Sequence, residues 1–102
     1  MLVLILSQKK EKDRLFLSMN GSLTKKEIYK IEDYIIPQLK EGKIKQLICD
    51  CSSLKILDYE GKYTLLKIKL ILKKQKGTLL LCDVKNNIKN ELMGYRMRIQ
   101  TR

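Results

Sequence analysis

Side chains able to do chemistry are scarce in this chain, and most of them crowd into one stretch, Leu47-Ile48-Cys49-Asp50-Cys51-Ser52-Ser53-Leu54-Lys55-Ile56-Leu57-Asp58-Tyr59-Glu60-Gly61. It reads as a buried strand, a short loop and the first turn of a helix. Carboxylates act electrostatically at a helix start. An N-cap Asp accepts from the unpaired backbone N–H groups, and a first-turn acid is favoured by the helix dipole. Asp58 and Glu60 stand at those two positions. Catalysis has less to work with. The chain has no His, no Gly-rich phosphate loop and no acid pair on a recognisable scaffold, so nucleophile-and-base constellations do not assemble. The reading is a non-catalytic protein.

Cys49, Cys51 and Cys82 all lie inside apolar runs. An odd count in a chain expected to be cytoplasmic argues against a disulfide framework. A three-thiolate metal site would lack His, a Cys-x-x-Cys motif and a fourth ligand. The thiols are therefore read as small buried hydrophobes, and no cofactor or metal is expected.

The elements that must hold Asp58 and Glu60 follow from patterning. At 102 residues the chain forms a single domain, 1–102, and an apolar content of 44% is that of a folded one. Residues 2–6 and 15–19 are strand-like, joined by a charged connection over 8–14. Thr24 and Glu27 have capping-box spacing, and Ile28, Ile31, Ile35 and Leu39 then recur at helical period. Pro37 thins that helix in its last turn, and Gly42 is placed to end it. Residues 44–51 form a near-continuous apolar strand of the kind found inside a sheet covered by helices. Asp58 caps a second helix running to about residue 75, with Leu65, Leu66, Ile68 and Leu72 on its apolar face and Gly77 stopping it. Residues 78–82 form a fourth strand, Asn86 or Asn87 caps a short helix through Leu92, and residues 95–100 close the chain as a short strand. The order is β-β-α-β-α-β-α-β, an α/β domain with a mixed, mostly parallel sheet.

That order, with Asp50-Cys51-Ser52-Ser53-Leu54 at a strand end, Asp58-Tyr59-Glu60-Gly61 opening a helix and Gly21-Ser22-Leu23-Thr24 after the second strand, resembles the STAS family of sulfate transporters and anti-sigma factor antagonists. The resemblance runs over nearly the whole chain, although the family's last helix is missing from the pattern. Regulatory members open the second helix with Asp-Ser-Ser-Gly and are phosphorylated on the second Ser. Glu60 stands at that phosphoacceptor-equivalent position. The resemblance implies a surface comprising Ser22, Thr24, Asp58, Tyr59, Glu60, Gly61, Lys62 and Tyr63 that binds a kinase-like anti-sigma factor. Regulation by Ser phosphorylation would be lost. An alternative partner is the ATPase of a membrane transport complex, braced by the domain as an accessory subunit.

The formal net charge is +11, and Lys62, Lys67, Lys69, Lys73, Lys74 and Lys76 follow one another with no acid between them. Such a face attracts acidic proteins, nucleic acid or anionic membranes, or is simply solvated. Nucleic acid is the less favoured partner, because the aromatic residues form no stacking platform and no binding motif is present. No run approaches the roughly 20 apolar residues of a membrane span. The opening apolar run lacks a basic flank and is too short for a signal peptide.

Overall fold

A computed structural model describes residues 2–101. Six strands and four helices follow in the order β1 (Leu4–Glu11), β2 (Arg14–Leu23), α1 (Ile28–Tyr34), α2 (Ile36–Lys40), β3 (Gln46–Asp50), β4 (Leu54–Leu57), α3 (Tyr59–Lys74), β5 (Thr78–Cys82), α4 (Asn86–Glu91) and β6 (Arg98–Gln100). The sheet order is β1-β2-β3-β5-β6, with β4 beside the far half of β2. Only the β1–β2 pair is antiparallel; every other pair is parallel. The mixed, mostly parallel sheet of the sequence reading is what forms, with one strand more than expected.

That extra strand is β4. After Asp50 the chain turns, with Leu54 N–H donating to Cys51 O (3.1 Å), and Gly21 N–H donates to Ser53 O (2.9 Å). It then runs along the end of β2, which carries an irregularity between Gly21 and Ser22. β2 thus pairs with β3 through its first half and with β4 through its second. Four residues with only Leu54 and Leu57 buried are too short a pattern to read as a strand.

The charged connection over 8–14 is also corrected. Antiparallel pairing continues to Glu11↔Arg14, leaving Lys12 (φ 57) and Asp13 as a tight turn. Backbone ladder bonds need no apolar side chain on an edge strand, so charge did not end β1. The capping box does not form either. Thr24 O accepts from the N–H groups of Glu27 (2.8 Å) and Ile28 (3.0 Å), and α1 begins at Ile28 without a side-chain cap. The Glu27 carboxylate turns inward instead. It accepts from Leu4 N–H (2.7 Å) and Lys30 Nζ (2.8 Å), while Lys30 Nζ also donates to Leu4 O (2.6 Å). An acid only 9% exposed stabilises more by pairing with buried donors than by capping a helix end open to water.

Pro37 goes with an interruption of the helix, but the break falls at Ile35, and Pro37 opens the first turn of α2 instead of thinning a last turn. Gly42 follows α2 with φ 82. At the end of α3, however, Lys76 takes the left-handed conformation (φ 60). Gly77 is needed for space, because a Cβ there would stand 2.8 Å from Lys45 O. Lys85, not either Asn, occupies the N-cap position of α4, and Asn87 Nδ2 donates to Lys55 O (3.4 Å). The final strand is confined to Arg98–Gln100, and no helix follows it among the described residues.

Leu15, Leu17, Leu47, Cys49, Leu79 and Leu81 are buried with Leu65, Ile68 and Leu72 of α3 and with Ile31 and Leu39. The alternation of β3 places Ile48 on the other face, half-buried. The helices thus cover the face that carries Leu47 and Cys49. Leu66 is only half-buried, and Thr64 takes a buried place instead. Full burial of Leu65, Ile68 and Leu72 contributes about 1.5–3 kcal/mol each. A helix cap contributes about 1 kcal/mol. Packing therefore decides that α3 forms, and capping decides where it starts.

The three thiols are free and buried. Burial pushes Cys49 well up, and it pushes Cys51 from 9.0 to about 12, with the charges of Asp50, Cys82 and Asp83 acting in the same direction. A thiol whose pKa rises on folding keeps its proton where the unfolded chain has lost it. Its contribution is complete below pH 9.0 and is lost as pH rises toward about 12, at up to roughly 1.4 kcal/mol per pH unit for each thiol. Urea unfolding should therefore show stability falling above pH 9.0, with a shallower fall in Cys51→Ala. Cys49 should react with a polar thiol reagent only as fast as the domain unfolds, and rapid labelling of the folded protein would refute its burial.

Candidate functional site

The start of α3 lies at the C-terminal edge of the parallel strands, against the end of β2. Asp58 is its N-cap with extended backbone (φ −93, ψ −175). One carboxylate oxygen, Oδ1, accepts from Gly61 N–H at 2.8 Å. The other, Oδ2, accepts from Lys25 N–H at 2.9 Å. A single side chain therefore joins the helix start to the loop that follows β2. Lys62 N–H donates to Asp58 O (2.9 Å) and Asp58 N–H to Leu23 O (3.4 Å), which completes the junction.

Gly61 is a packing requirement. A Cβ there would overlap the Leu23 carbonyl oxygen and crowd Leu57 Cδ1 at 2.9 Å. Its absence lets α3 approach the backbone of β2 directly. Thr64, one turn on, is buried and returns its hydroxyl to Glu60 O (2.9 Å).

Of the residues expected on a common surface, the structure brings together Thr24, Asp58, Tyr59, Glu60, Lys62 and Tyr63. Tyr59 is 61% exposed and Tyr63 54%. Glu60 is exposed in the first turn, and its carboxylate makes no hydrogen bond to any described residue. Ser22 does not join them. It is 1% exposed, lies within β2 opposite Ile56, and donates its N–H to Val3 O (2.9 Å). Gly61 is buried and shapes the site from beneath. Thr24 is half-buried and contributes its carbonyl to the turn before α1.

Two lysines of α3 are engaged within the domain. Lys62 Nζ pairs with Glu91 (3.1 Å), which ties α3 to the end of α4, and lies 5.8 Å from the Tyr59 ring centre. The hydrogen bond that Lys62 donates to Glu91 raises the Lys62 pKa, so it stays charged. Lys67 Nζ pairs with Glu32 (2.9 Å) and lies 5.8 Å from the Tyr63 ring centre. These contacts hold both phenol rings at the surface. Ile56, 42% exposed on β4, adds an apolar neighbour that sequence reading missed, because β4 itself was not legible. Lys25 N–H was missed as well, since a backbone donor leaves no mark in the residue type.

The site offers a fixed backbone platform, two exposed phenols, an aliphatic neighbour and one unpaired carboxylate. Among the described residues no group of three His, Cys, Asp or Glu side chains is placed to hold a metal ion, and no helix is long and apolar enough to cross a membrane.

Comparison with known proteins gives three findings. The family model for the STAS domain matches residues 6–96. A search of curated protein sequences finds no match. Among solved structures, the chain is similar to the anti-sigma factor antagonist SpoIIAA in its unphosphorylated form, with a TM-score of 0.81 at 14% identity over 93% of this chain and 86% of that one. The Bacillus cell fate determinant SpoIIAA in its phosphorylated form gives 0.82 at 14% identity over 96% and 91%. A Moorella thermoacetica RsbS carrying a serine-to-glutamate substitution gives 0.78 at 15% identity over 95% and 86%. At such identities the likeness is one of fold.

The platform yields two stability predictions. Asp58→Ala removes both the cap and the tie to Lys25 and should lower unfolding stability by about 1–3 kcal/mol, with Asp58→Asn recovering part of it. Gly61→Ala should cost at least about 2 kcal/mol, since backbone and not a flexible side chain must move. Chemical denaturation checks both, and a neutral Gly61→Ala would show that α3 does not need its close approach to Leu23.

Proposed function

The chain belongs to the STAS domain family, and we propose that it acts as a protein-interaction module of the anti-sigma factor antagonist type, binding a kinase-like anti-sigma factor through the start of α3. The observation that carries this reading is the bidentate hold of Asp58 on Lys25 and Gly61, which fixes the helix start while leaving Glu60 unpaired at the surface. Tyr59, Tyr63 and Ile56 supply the apolar contact area around it. Aromatic anchors beside a charged group are what a protein partner reads.

Glu60 stands where the family resemblance puts an acceptor serine. A carboxylate is no acceptor, so the module is fixed in one state. A phosphoserine carries about −1.5 to −2 charges and three acceptor oxygens; Glu60 offers one charge and two oxygens. It is therefore a partial mimic of a phosphorylated state, or a contact for a partner that prefers the acid. A second reading uses the same surface, docking on the ATPase of a transport complex, which needs no acceptor hydroxyl. Capture of partners from the native cell separates the two.

With the captured kinase-like partner and ATP, the wild-type protein should remain unphosphorylated at position 60, and Glu60→Ser should restore an acceptor. If Glu60 mimics the modified state, Glu60→Ser should also tighten binding by five- to thirty-fold, equivalent to about 1–2 kcal/mol. Weaker binding with an intact fold would make the carboxylate a required contact. An effect confined to thermal stability would leave Glu60 as a helix-start acid and overturn its regulatory role.

A further inference from the structure

The far end of the domain, where the parallel strands begin, carries a second surface. Arg14, Gln46 and Thr78 lie side by side in the register of β2, β3 and β5. The turns that feed these strands are tied to one another by backbone hydrogen bonds. Lys45 N–H (2.7 Å) and Gln46 N–H (3.2 Å) donate to Asp13 O, and Thr78 N–H donates to Lys45 O (2.9 Å). Lys45 Nζ donates to Gln75 O (3.1 Å), the last residue of the α3 cap. This edge is a stitched set of turns.

Lys12, Arg14, Lys43, Lys76, Arg96 and Arg98 project from this edge and the approach to β6, and all are exposed. Among the described residues none of their side chains makes an ion pair or hydrogen bond. Lys12, Lys76 and Arg96 sit at left-handed turn residues (φ 57, 60 and 54), which sets them at the tips. The acids nearby are Glu11, paired with Lys9, and Asp13 and Glu41, which together offset only part of the charge. Lys30, Lys62 and Lys67, by contrast, are each paired with a glutamate, and the exposed Lys26, Lys55 and Lys85 at the opposite end stand near Asp50, Asp58 and Glu60.

We infer that this edge is a docking surface for an anionic lipid bilayer, which would leave the start of α3 facing away for a protein partner. The unspent cations stand on separate turn tips of one rigid end, an array that meets a flat charged sheet without rearrangement. Nucleic-acid modules add a groove-entering element or stacking aromatics, and this edge presents neither. Each basic residue brought to an anionic bilayer adds to the attraction, which falls off within a Debye length.

The test is sedimentation of the full chain with vesicles of phosphatidylcholine alone or containing about 30% phosphatidylserine, at physiological salt. The wild-type protein should bind the mixed vesicles and not the neutral ones. Replacing Lys12, Lys43 and Lys76 by Gln should lower the partition coefficient at least about tenfold. A control replacing Lys26, Lys55 and Lys85, exposed at the opposite end, removes the same charge and should change it less than about twofold. Unfolding midpoints of both variants establish that each is folded. Equal losses in the two variants would reduce the effect to net charge and overturn the assignment. So would binding to a short DNA duplex with none to anionic vesicles.

Discussion

The close approach of Gly61 to the Leu23 carbonyl is the constraint on which the candidate site depends. With no Cβ in the way, α3 begins directly against the end of β2. Asp58 can then reach both Lys25 N–H and Gly61 N–H from one position. The geometry around Glu60 is thereby set by backbone and by a neighbouring side chain, not by Glu60 itself. A position whose own side chain bears no part of the fold is free to carry a charge, a hydroxyl or a phosphate with little structural consequence. That separation is what a surface read by a partner requires.

β2 makes the approach possible by serving two neighbours. Its first half is held in register with β3, and beyond the irregularity at Gly21 and Ser22 it is held by β4. The Glu27–Lys30 pair fixes the other side by occupying both backbone groups of Leu4, which closes the outer edge of β1 at that residue. The Lys30 hydrogen bond, helped by Leu4 N–H, holds the Glu27 carboxyl below its usual value. Its stabilising effect is therefore present above the ordinary carboxylate range and is lost as pH falls through the lowered value.

How legible this was in the sequence depended on the kind of signal. The helices followed from period, from Pro37 and from Asp58, because packing and backbone chemistry leave marks in residue type. β4 left none, since a four-residue strand is recognised by its neighbour and not by its own pattern. Thr24 and Glu27 had the spacing of a capping box, yet Glu27 found stronger partners across the fold at Leu4 and Lys30. Ser22 was placed on the surface by the family resemblance, while its place inside β2 buries it. In each case a tertiary partner decided what local pattern alone does not carry.

Magnitudes bound what Glu60 can contribute to the fold. Gly61 N–H is already taken by Asp58, so the carboxylate of Glu60 gains only the general favour of a helix start, about 0.3–1 kcal/mol at an exposed position. Burial of Leu65, Ile68 and Leu72 exceeds this several-fold, and α3 would keep its place with another residue at position 60. An unpaired charge is costly, by contrast, when a docking protein desolvates it without supplying a partner. It is favourable when the partner offers a cation or a set of N–H donors. On the proposed function, the energetic weight of Glu60 would fall on association, with a sign determined by what the partner places opposite it.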